Sequence, residues 1–360
     1  NWQERFLTAF WSMNRGSFPQ RRHLPCRRNS KCGFKLAAAL CLWKTWHLRH
    51  HRVSHRGGCE LGPRPIDLHL SGLRTLGAEI DDTGGMLHCR AARLRGREIV
   101  LSLPSVGATE NLMLAACGAE GTTSICNAAR EPEITDLQNF LNACGARVSG
   151  AGSTTVVIEG GHKLHGCTYT VMPDRIVAGT YLCAAAAAGG TVLLQGAREQ
   201  HLATVTAVLR EAGCDIVSDS AGIACVCRRR LRAVRPVRTA PYPGFPTDAQ
   251  AILMAALLRS RGATVFEENI FENRYRHVDE LARMGADIQV SGRTAVVTGV
   301  ETLRGAPVRC TDLRGGAALC VAALAAEGET RIAEIGHIDR GYERIERDLR
   351  ALGAEIERIE

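Results

Sequence analysis

Apolar residues recur at helical spacing in short stretches that each end at a glycine, and this pattern repeats along most of the chain. In the last copy, Tyr342, Ile345, Leu349 and Leu352 would bury one stripe of a helix. The closing glycine suits the left-handed position at which many helices end. Because a repeat this long is a whole supersecondary unit, the chain is predicted to be an array of similar modules. Five copies end at glycines spaced 68 to 72 residues apart: Gly77, Gly145, Gly213, Gly285 and Gly353.

A second series of helices, rich in Ala and Leu, has nearly the same period. These helices are predicted at 112–119, 179–188, 249–259 and 315–326, and each is expected to end at a further glycine: Gly121, Gly190, Gly262 or Gly328. Short β-like stretches follow the first series of glycines, for example at 156–158 and 296–297. The sequence therefore predicts an α/β fold of repeated strand–helix–strand–helix–strand units. A chain of 360 residues is expected to form two domains, and no apolar run reaches the roughly 18 residues that a membrane span needs.

Residues 1–56 differ from the rest of the chain. They hold 12 Lys and Arg and a single acid, Glu4, whereas the remainder holds 33 basic and 36 acidic residues. All four tryptophans lie in the first 46 residues, and the helix–Gly signature is missing there. Three interpretations stay open: a basic tail for an anionic surface, a targeting peptide without a clear cleavage site, or a sequence that is not native, such as a shifted reading frame. The abrupt change of composition favours the last.

Fifteen cysteines are many, and the number is odd. Several, such as Cys117, Cys183 and Cys320, fall in apolar helices, where a free thiol behaves as a small hydrophobe. The pair Cys225 and Cys227 is too closely spaced for a zinc site and has no second pair nearby. We therefore expect a reduced protein without a disulfide framework.

Two loops interrupt the repeat with chemically active side chains. In the first, Cys59 follows two glycines and is flanked by Arg56 and Arg64, whose charges would lower the pKa of the thiol and suit it to act as an acid or a nucleophile. The alternative is one more structural cysteine. In the second loop, three prolines and a glycine lead to Asp248 at the start of a helix. The simpler interpretation there is that Asp248 or Thr247 caps the helix.

Three further positions suggest anion binding. Residues 104–111 form a loop that enters a helix, where free N–H groups suit a phosphate. Arg314 and Arg340 each stand beside glycine, which would let the backbone approach a ligand, and guanidinium groups bind phosphates and carboxylates through two parallel hydrogen bonds. The alternative for Asp339 and Arg340 is an exposed ion pair of little energetic weight.

Residues 57–360 resemble the UDP-N-acetylglucosamine 1-carboxyvinyltransferases, a branch of the enolpyruvyl transferase family that is related to EPSP synthases. The resemblance implies an inside-out α/β barrel with two domains of three units each. The expected domains are 57–172, which is incomplete, and 173–360, while the degraded or non-native stretch 1–56 stands where a further unit is expected. The matching motifs are GGCELGPRPIDLH (57–69), PSVGATEN (104–111), AREPEI (129–134), PDRI (173–176), PGFPTDAQ (243–250), FENRYRHV (271–278), TDLR (311–314) and HIDRGYERI (337–345).

The resemblance also implies an activity. Members of this family transfer the enolpyruvyl group of phosphoenolpyruvate to the 3′-hydroxyl of UDP-N-acetylglucosamine and release phosphate, which is the first committed step of peptidoglycan synthesis in the cytoplasm. The reaction passes through a tetrahedral addition intermediate. The implied partners are these two small molecules, with neither nucleic acid nor membrane, and no metal or cofactor is implied because arginines compensate the charge.

Site residues follow from the resemblance, position by position. Cys59 is implied as the acid that also forms an adduct with phosphoenolpyruvate, and Asp248 as the base. Arg64 and Arg340 would hold phosphoenolpyruvate, with Arg314 nearby. The contacts to the uridine, diphosphate and sugar would fall on Arg64, Pro65, Ile66, Asp67, Leu68, Ser105, Val106, Gly107 and Ile270.

The sequence departs from the family pattern in two places. Residues 1–56 lack the Lys-Asn pair that grips phosphoenolpyruvate, and Leu103 stands where the family has a lysine. Losing one charge-assisted contact costs about 1.5–3 kcal/mol, or roughly 10- to 150-fold. We therefore expect an N-terminal side that folds poorly and an activity that is weak or lost. The alternatives are an inactive sugar-nucleotide-binding paralogue and a sister transferase that acts on another alcohol.

Overall fold

The structure, a computed structural model, describes residues 51–54, 66–83 and 86–359. Three of the predicted site residues, Cys59, Arg64 and Pro65, lie outside these ranges. The described chain divides into two compact parts between Met172 and Pro173, and each is described by itself.

The part that ends at Met172 holds two sheets. The helices are α1 (Asp67–Thr75), α2 (Val106–Cys117) and α3 (Pro132–Ala143). The strands are β1 (His51–Ser54), β2 (Glu79–Thr83), β3 (Met86–Arg90), β4 (Glu98–Val100), β5 (Thr122–Cys126), β6 (Arg147–Ser149) and β7 (Thr155–Glu159). One sheet has the antiparallel order β1-β3-β2, and the other has the order β4-β5-β7-β6. Strand β1 falls within the stretch 1–56, so the end of that stretch belongs to the first sheet.

The part that begins at Pro173 holds six helices of the α type. They are α4 (Arg175–Ala188), α5 (Ala203–Ala212), α6 (Thr247–Leu257), α7 (Val278–Arg283), α8 (Leu313–Ala323) and α9 (Ile345–Ala351), with 3-10 helices at Glu199–His201 and Ile335–Arg340. The strands are β8 (Thr191–Gln195), β9 (Asp215–Ser218), β10 (Gly222–Val226), β11 (Val237–Arg238), β12 (Ala263–Glu267), β13 (Asp287–Ser291), β14 (Thr294–Thr298), β15 (Leu303–Arg304), β16 (Pro307–Arg309), β17 (Ala326–Glu327) and β18 (Arg331–Ala333). The larger sheets have the orders β8-β10-β9 and β11-β12-β14-β13.

The repeat is clearest in the two four-stranded sheets, at residues 98–159 and 237–298. In each, a parallel pair of strands encloses a buried helix, and an antiparallel hairpin completes the sheet: β4-β5-β7-β6 in one and β11-β12-β14-β13 in the other. Each unit thus has one strand more than the sequence predicted. The hairpin strand that follows the glycine is only three residues long in β6, which is too short for a clear alternating pattern.

Helices form the interior of each part, and sheets form its outside. In the second part, α4, α6 and α8 pack against one another, and every residue from Ala249 to Leu257 is buried. Small Ala side chains let these helices approach closely. Strand β12 alternates, with Thr264 and Phe266 turned inward. In the first part α1 lies so close to α2 that a Cβ at Gly72 would stand 2.6 Å from Leu112.

The predictions for the two series of glycines have different outcomes. The first series is confirmed, since all five glycines have φ between +89° and +110° at or beside a helix end. The predicted ends of the Ala-rich helices are wrong. Helices α2, α6 and α8 end four or five residues before Gly121, Gly262 and Gly328, and these glycines instead form left-handed turns that lead into the next strand. In α4 the left-handed residue is Gly189 instead of Gly190. Within the described ranges, no helix combines the length and the apolarity needed to cross a bilayer.

Candidate functional site

Asp248 stands in the first turn of α6 and is bound by two arginines. Helix α6 begins at Thr247 after Pro246, which supplies no side-chain cap, so the capping interpretation of Asp248 and Thr247 does not describe this turn. The Arg274 side chain donates to Oδ1 of Asp248 at 2.9 Å, and the Arg314 side chain donates to Oδ2 at 3.2 Å. One oxygen of the carboxylate is therefore held from the loop before α7 and the other from the first turn of α8.

The two guanidinium groups are buried, whereas the carboxylate has an open side. Side-chain exposure is 2% for Arg274, 13% for Arg314 and 42% for Asp248. Burial works against the charged form of Asp248, yet the two arginines prevail and hold the pKa of its carboxyl far below the usual range. Burial likewise opposes the charge on Arg314, and Asp248 outweighs it, so the pKa of Arg314 is raised. Two cations on one anion leave a net positive charge at this position.

Arg314 is fixed by the start of α8 and by a tyrosine. Asp312 caps α8, and its Oδ1 accepts from the backbone N–H of Arg314 at 2.9 Å. The guanidinium donates to the Tyr342 hydroxyl at 3.3 Å and lies 5.8 Å from the centre of that ring. The hydroxyls of Tyr342 and Thr180 are 2.7 Å apart, which ties this contact to α4. The direction of Arg314 is thus set from three elements.

Arg340 ends the 3-10 helix Ile335–Arg340 and is exposed. Its neighbour Asp339 accepts two hydrogen bonds from Arg358, at 2.7 and 3.1 Å. A Cβ at Gly341 would lie 2.8 Å from the Leu313 side chain, so the turn after Arg340 packs directly against the start of α8. The structure therefore brings the Arg340 turn next to Arg314.

Ile270 lies in the loop after β12 and is 39% exposed. Its backbone N–H donates to Oε1 of Glu268 at 2.8 Å, and Oε2 of Glu268 accepts from the Thr247 hydroxyl at 2.9 Å. The loop is thereby joined to the residue that precedes Asp248. Of the predicted residues, the structure brings together Asp248, Ile270, Arg314 and the turn of Arg340 in this part of the chain.

The other predicted residues that the structure describes lie at two helix starts in the first part. Ile66 precedes α1, which begins with Asp67 and Leu68, while Ser105 caps α2 and accepts from the N–H of Ala108 at 3.4 Å. Val106 and Gly107 form the first turn of α2.

His69 joins these two helix starts. Its ring is hydrogen-bonded to Asn111 on α2 and would lie 3.3 Å from a Cβ on Gly107. Burial lowers the pKa of His69 against the opposing charge of Asp67, which favours the neutral ring. The stretches 66–68 and 105–107 therefore share one surface.

The glycines beside the arginines have a different role from the one the sequence suggested. A Cβ at Gly315 would meet the Cβ of His277 at 2.9 Å, and one at Gly316 would meet Ile338 at 2.7 Å. Within the described chain these glycines allow close packing of α8, so the interpretation that they admit a ligand is replaced by this one.

Sequence reasoning assigned no functional role to Arg274, Glu268, His69 or Asn111, and it gave Tyr342 only a place on the buried stripe of a helix. Arg274 lies in the motif FENRYRHV and His69 in PIDLH, so both stand in stretches that break the repeat. Their location in these two stretches is the sequence signal that could have identified them. Leu103, where the family pattern has a lysine, is 55% exposed in the loop before α2. In the described ranges the eleven cysteines are free thiols, and no group of three His, Cys, Asp or Glu is arranged to hold a metal ion.

Comparison with solved structures defines the class of this protein. The enolpyruvyl transferase NikO from Streptomyces tendae superposes with a TM-score of 0.78 at 23% identity, over 98% of this chain and 87% of that one. An EPSP synthase from Acinetobacter baumannii superposes with a TM-score of 0.65 at 20% identity, over 89% and 77%. The fold is that of the enolpyruvyl transferases, and the predicted inside-out α/β barrel class is confirmed.

Sequence comparison narrows the class. The model of the family EPSP synthase (3-phosphoshikimate 1-carboxyvinyltransferase) matches residues 19–349. UDP-N-acetylglucosamine 1-carboxyvinyltransferase 2 of Caldanaerobacter subterraneus subsp. tengcongensis is 53% identical over 307 residues, which are 85% of this chain and 74% of that protein. The corresponding enzyme of Zymomonas mobilis subsp. mobilis is 55% identical over 314 residues, or 85% and 72%. The chain therefore belongs to the EPSP synthase family, in the branch of the UDP-N-acetylglucosamine 1-carboxyvinyltransferases.

Proposed function

We propose that this protein transfers the enolpyruvyl group of phosphoenolpyruvate to the 3′-hydroxyl of UDP-N-acetylglucosamine and releases phosphate. The observation that carries the proposal is the Asp248 carboxylate, open on one side and held by the buried Arg274 and Arg314. An anion held in this way presents a fixed hydrogen-bond acceptor to an alcohol, and the two guanidinium groups can stabilise negative charge that develops beside it. Both features suit the addition of a hydroxyl to an anionic enol phosphate.

The reaction has two steps with balanced proton transfers. In the first, the sugar oxygen bonds to C2 of phosphoenolpyruvate, C3 gains a proton, and the hydroxyl proton leaves. In the second, the bond from C2 to the phosphate oxygen breaks and C3 loses a proton, which restores the double bond. We assign the C3 proton to Cys59, which also forms the adduct with phosphoenolpyruvate, on the family pattern of its loop.

The low pKa of Asp248 limits what this residue can do. A carboxylate so strongly stabilised in its charged form is a weak base towards a free alcohol. Its first task is therefore to accept a hydrogen bond from the 3′-hydroxyl and to orient its oxygen. The hydroxyl proton becomes acidic as the bond to C2 forms, and at that point a weak base is sufficient to receive it.

The remaining assignments divide between the two parts of the chain. Arg340 and Arg64 hold phosphoenolpyruvate, Arg314 supports them, and Ile270 contacts the sugar. The uridine and diphosphate lie along the surface made by the two helix starts of the first part, with the contacts carried by Arg64, Pro65, Ile66, Asp67, Leu68, Ser105, Val106 and Gly107. We further propose the domain limits 57–172, preceded by strand β1 (His51–Ser54), which belongs to the same sheet, and 173–360. We also propose a cytoplasmic location and no nucleic-acid or membrane partner.

The decisive experiment compares the wild-type chain with the Cys59→Ser variant. Phosphate release from phosphoenolpyruvate in the presence of UDP-N-acetylglucosamine is measured over hours, because the N-terminal departures predict a weak activity. Calorimetry measures UDP-N-acetylglucosamine binding to both proteins. An enzyme loses turnover and adduct formation with Cys59→Ser and keeps its affinity for the nucleotide.

Two outcomes would contradict the proposal. A wild-type chain that binds the sugar nucleotide without releasing phosphate is the inactive paralogue. A chain that is stabilised by another alcohol and not by UDP-N-acetylglucosamine is a sister transferase. Deleting residues 1–56 tests the basic-tail alternative, since any nucleic-acid binding that survives the deletion cannot come from that stretch.

A further inference from the structure

Glu268 is a buried carboxylate that joins three segments around Asp248. It is 1% exposed. Its Oε1 accepts from the Thr239 hydroxyl at 3.0 Å and from the N–H groups of Ile270 and Phe271 at 2.8 and 3.1 Å, and its Oε2 accepts from the Thr247 hydroxyl at 2.9 Å. All four donors are neutral. Removing a carboxylate from water is unfavourable without such bonds, so this side chain needs all of its partners in place.

The repeat shows that Glu268 is an exception at its position. Six residues after the second-series glycines stand Asn127, Gly196, Glu268 and Glu334 in successive units. The backbone is left-handed at Asn127, Gly196 and Glu334, with φ of 56°, 73° and 59°, but not at Glu268. In the unit at 98–159 the Asn127 side chain reaches one neighbour, the carbonyl oxygen of Leu101. Among these four positions, all of which the structure describes, only Glu268 is a buried carboxylate with four bonds.

The loop that contains Glu268 forms hydrogen bonds to three atoms at the start of α6. Glu268 accepts from the hydroxyl of Thr247, whereas Arg274 donates both to the backbone carbonyl of Thr247 at 3.0 Å and to Oδ1 of Asp248 at 2.9 Å. The same carboxylate holds the N–H of Ile270, at the exposed end of the loop. One side chain therefore fixes the distance between the Asp248 turn and the Ile270 loop.

We infer that Glu268 is a positioning residue for the transfer reaction: it holds Asp248 and the Ile270 loop in the arrangement that receives the acceptor alcohol. This inference rests on the proposed function. Glu268 need not touch either substrate, because its effect passes through the Thr247 hydroxyl. A displacement of about 1 Å at a reacting group can slow a reaction about 100-fold.

The test compares two hydroxyls on the same carboxylate. Thr247→Val removes the bond beside Asp248, and Thr239→Val removes the bond from the residue that follows β11, so each takes one hydroxyl donor from Glu268. The Thr239 hydroxyl also accepts from the N–H of Asn269 at 2.8 Å, so Thr239→Val removes one bond more than Thr247→Val. We expect Thr247→Val to lower kcat for phosphate release about 10- to 100-fold while the KM for phosphoenolpyruvate changes less than about threefold. Thr239→Val should lower Tm at least as much and leave kcat within about threefold. Thr247→Ser restores the hydroxyl and should restore kcat.

A shape-preserving change gives the second readout. In Glu268→Gln the amide oxygen can still accept from Thr239, Ile270 and Phe271, and the amide nitrogen can donate to the Thr247 oxygen. This variant should keep kcat within about tenfold of the wild type. If Thr247→Val and Thr239→Val lower kcat equally, in proportion to their loss of Tm, Glu268 has only a structural role. In that case the inference about Glu268 is wrong, while the proposed function still stands. If the wild-type chain itself releases no phosphate, the proposed function fails, and the inference fails with it.

Discussion

The units at 98–159 and 237–298 share one topology and differ at the start of their buried helices. The two helices are aligned by the glycines that follow them, which places Ser105 opposite Pro246 and Gly107 opposite Asp248. In one unit the first turn carries no side chain at that point, and the His69 ring lies beside the gap. In the other the same point carries a carboxylate between two guanidinium groups.

This difference separates what the fold requires from what the chemistry requires. Both helices are buried and apolar, and both sheets have the same strand order, so the interior is common to the two units. The charged groups that distinguish the second unit are Asp248 in the first turn of α6 and Arg274 in the loop after β12, and Arg314 joins them from the first turn of α8. One unit therefore offers a neutral surface suited to a nucleotide, and the other offers a charged centre suited to proton and phosphate transfer.

The largest expected effect comes from Asp248→Asn, which removes the charge that distinguishes the two units. Both amide and carboxylate fit the site, but the amide cannot accept from both arginines and from an alcohol. We expect kcat to fall about 10²- to 10⁴-fold, the usual range for a group that takes part in proton transfer. The kcat of both proteins is measured from steady-state phosphate release. A fall of less than about tenfold would show that Asp248 does not meet the reacting hydroxyl.

A smaller effect is expected from Arg274→Lys. A lysine keeps the charge, but its nitrogen stands one bond short of the terminal guanidinium nitrogen that donates to both the Thr247 carbonyl and Asp248. We expect kcat to fall about 10- to 100-fold. Arg276→Lys is the matched control, because Arg276 is exposed two residues further along the same loop. Equal effects of the two changes would rule out a specific role for Arg274.

Acid should destabilise the second part of the chain through His277, which is buried beside α8. Burial lowers the pKa of His277 to about 4, whereas in the unfolded chain it is about 6.5. Between these values the unfolded chain binds a proton that the folded chain does not, so stability falls as pH falls, by at most about 1.4 kcal/mol per pH unit.

Thermal unfolding between pH 7 and 4 tests this expectation. His277→Asn, whose amide can still donate to the Arg274 carbonyl as Nδ1 does, should flatten the slope of Tm against pH. An unchanged slope would assign the acid sensitivity to groups other than His277.

The smallest effect is expected from Ser105→Ala, in the neutral unit. Loss of a cap typically costs about 1 kcal/mol of stability. Because this turn is assigned to nucleotide binding, the KM for UDP-N-acetylglucosamine should rise several-fold while kcat stays nearly constant. A drop in kcat without a change in KM would contradict the division of labour between the two units.

Much of the fold could be predicted from the sequence because glycine is favoured where the backbone is left-handed. At Gly145 and Gly213 the left-handed backbone demands glycine, so the period could be counted directly. Helix starts were predicted less well, and α2 begins six residues before the predicted 112 because residues 107–111 are small or polar and belong to a loop motif. Three-residue strands such as β6 carry too few residues for any pattern.

The functional site could be predicted from the sequence only in part, and the reason differs from that for the fold. Asp248 was found because it follows an unusual run of prolines, and Arg314 because it stands beside glycines. Arg274 and Glu268 were missed because charged residues in a loop are ordinarily solvated, and a sequence does not show that these two are buried. Comparing equivalent positions across the units would have pointed to Glu268, since its neighbours in register are Asn, Gly and a left-handed Glu.

The parallel pairing of β4 with β5 and of β11 with β12 has an evolutionary consequence. Ladder bonds join backbone to backbone, so they persist whichever side chains stand beyond the strand ends. After duplication of an ancestral module, substitutions could change residues 268–274 in one unit while the equivalent loop of the other unit kept its function. New acceptor preferences can therefore arise by altering a single loop, without rebuilding the scaffold beneath it.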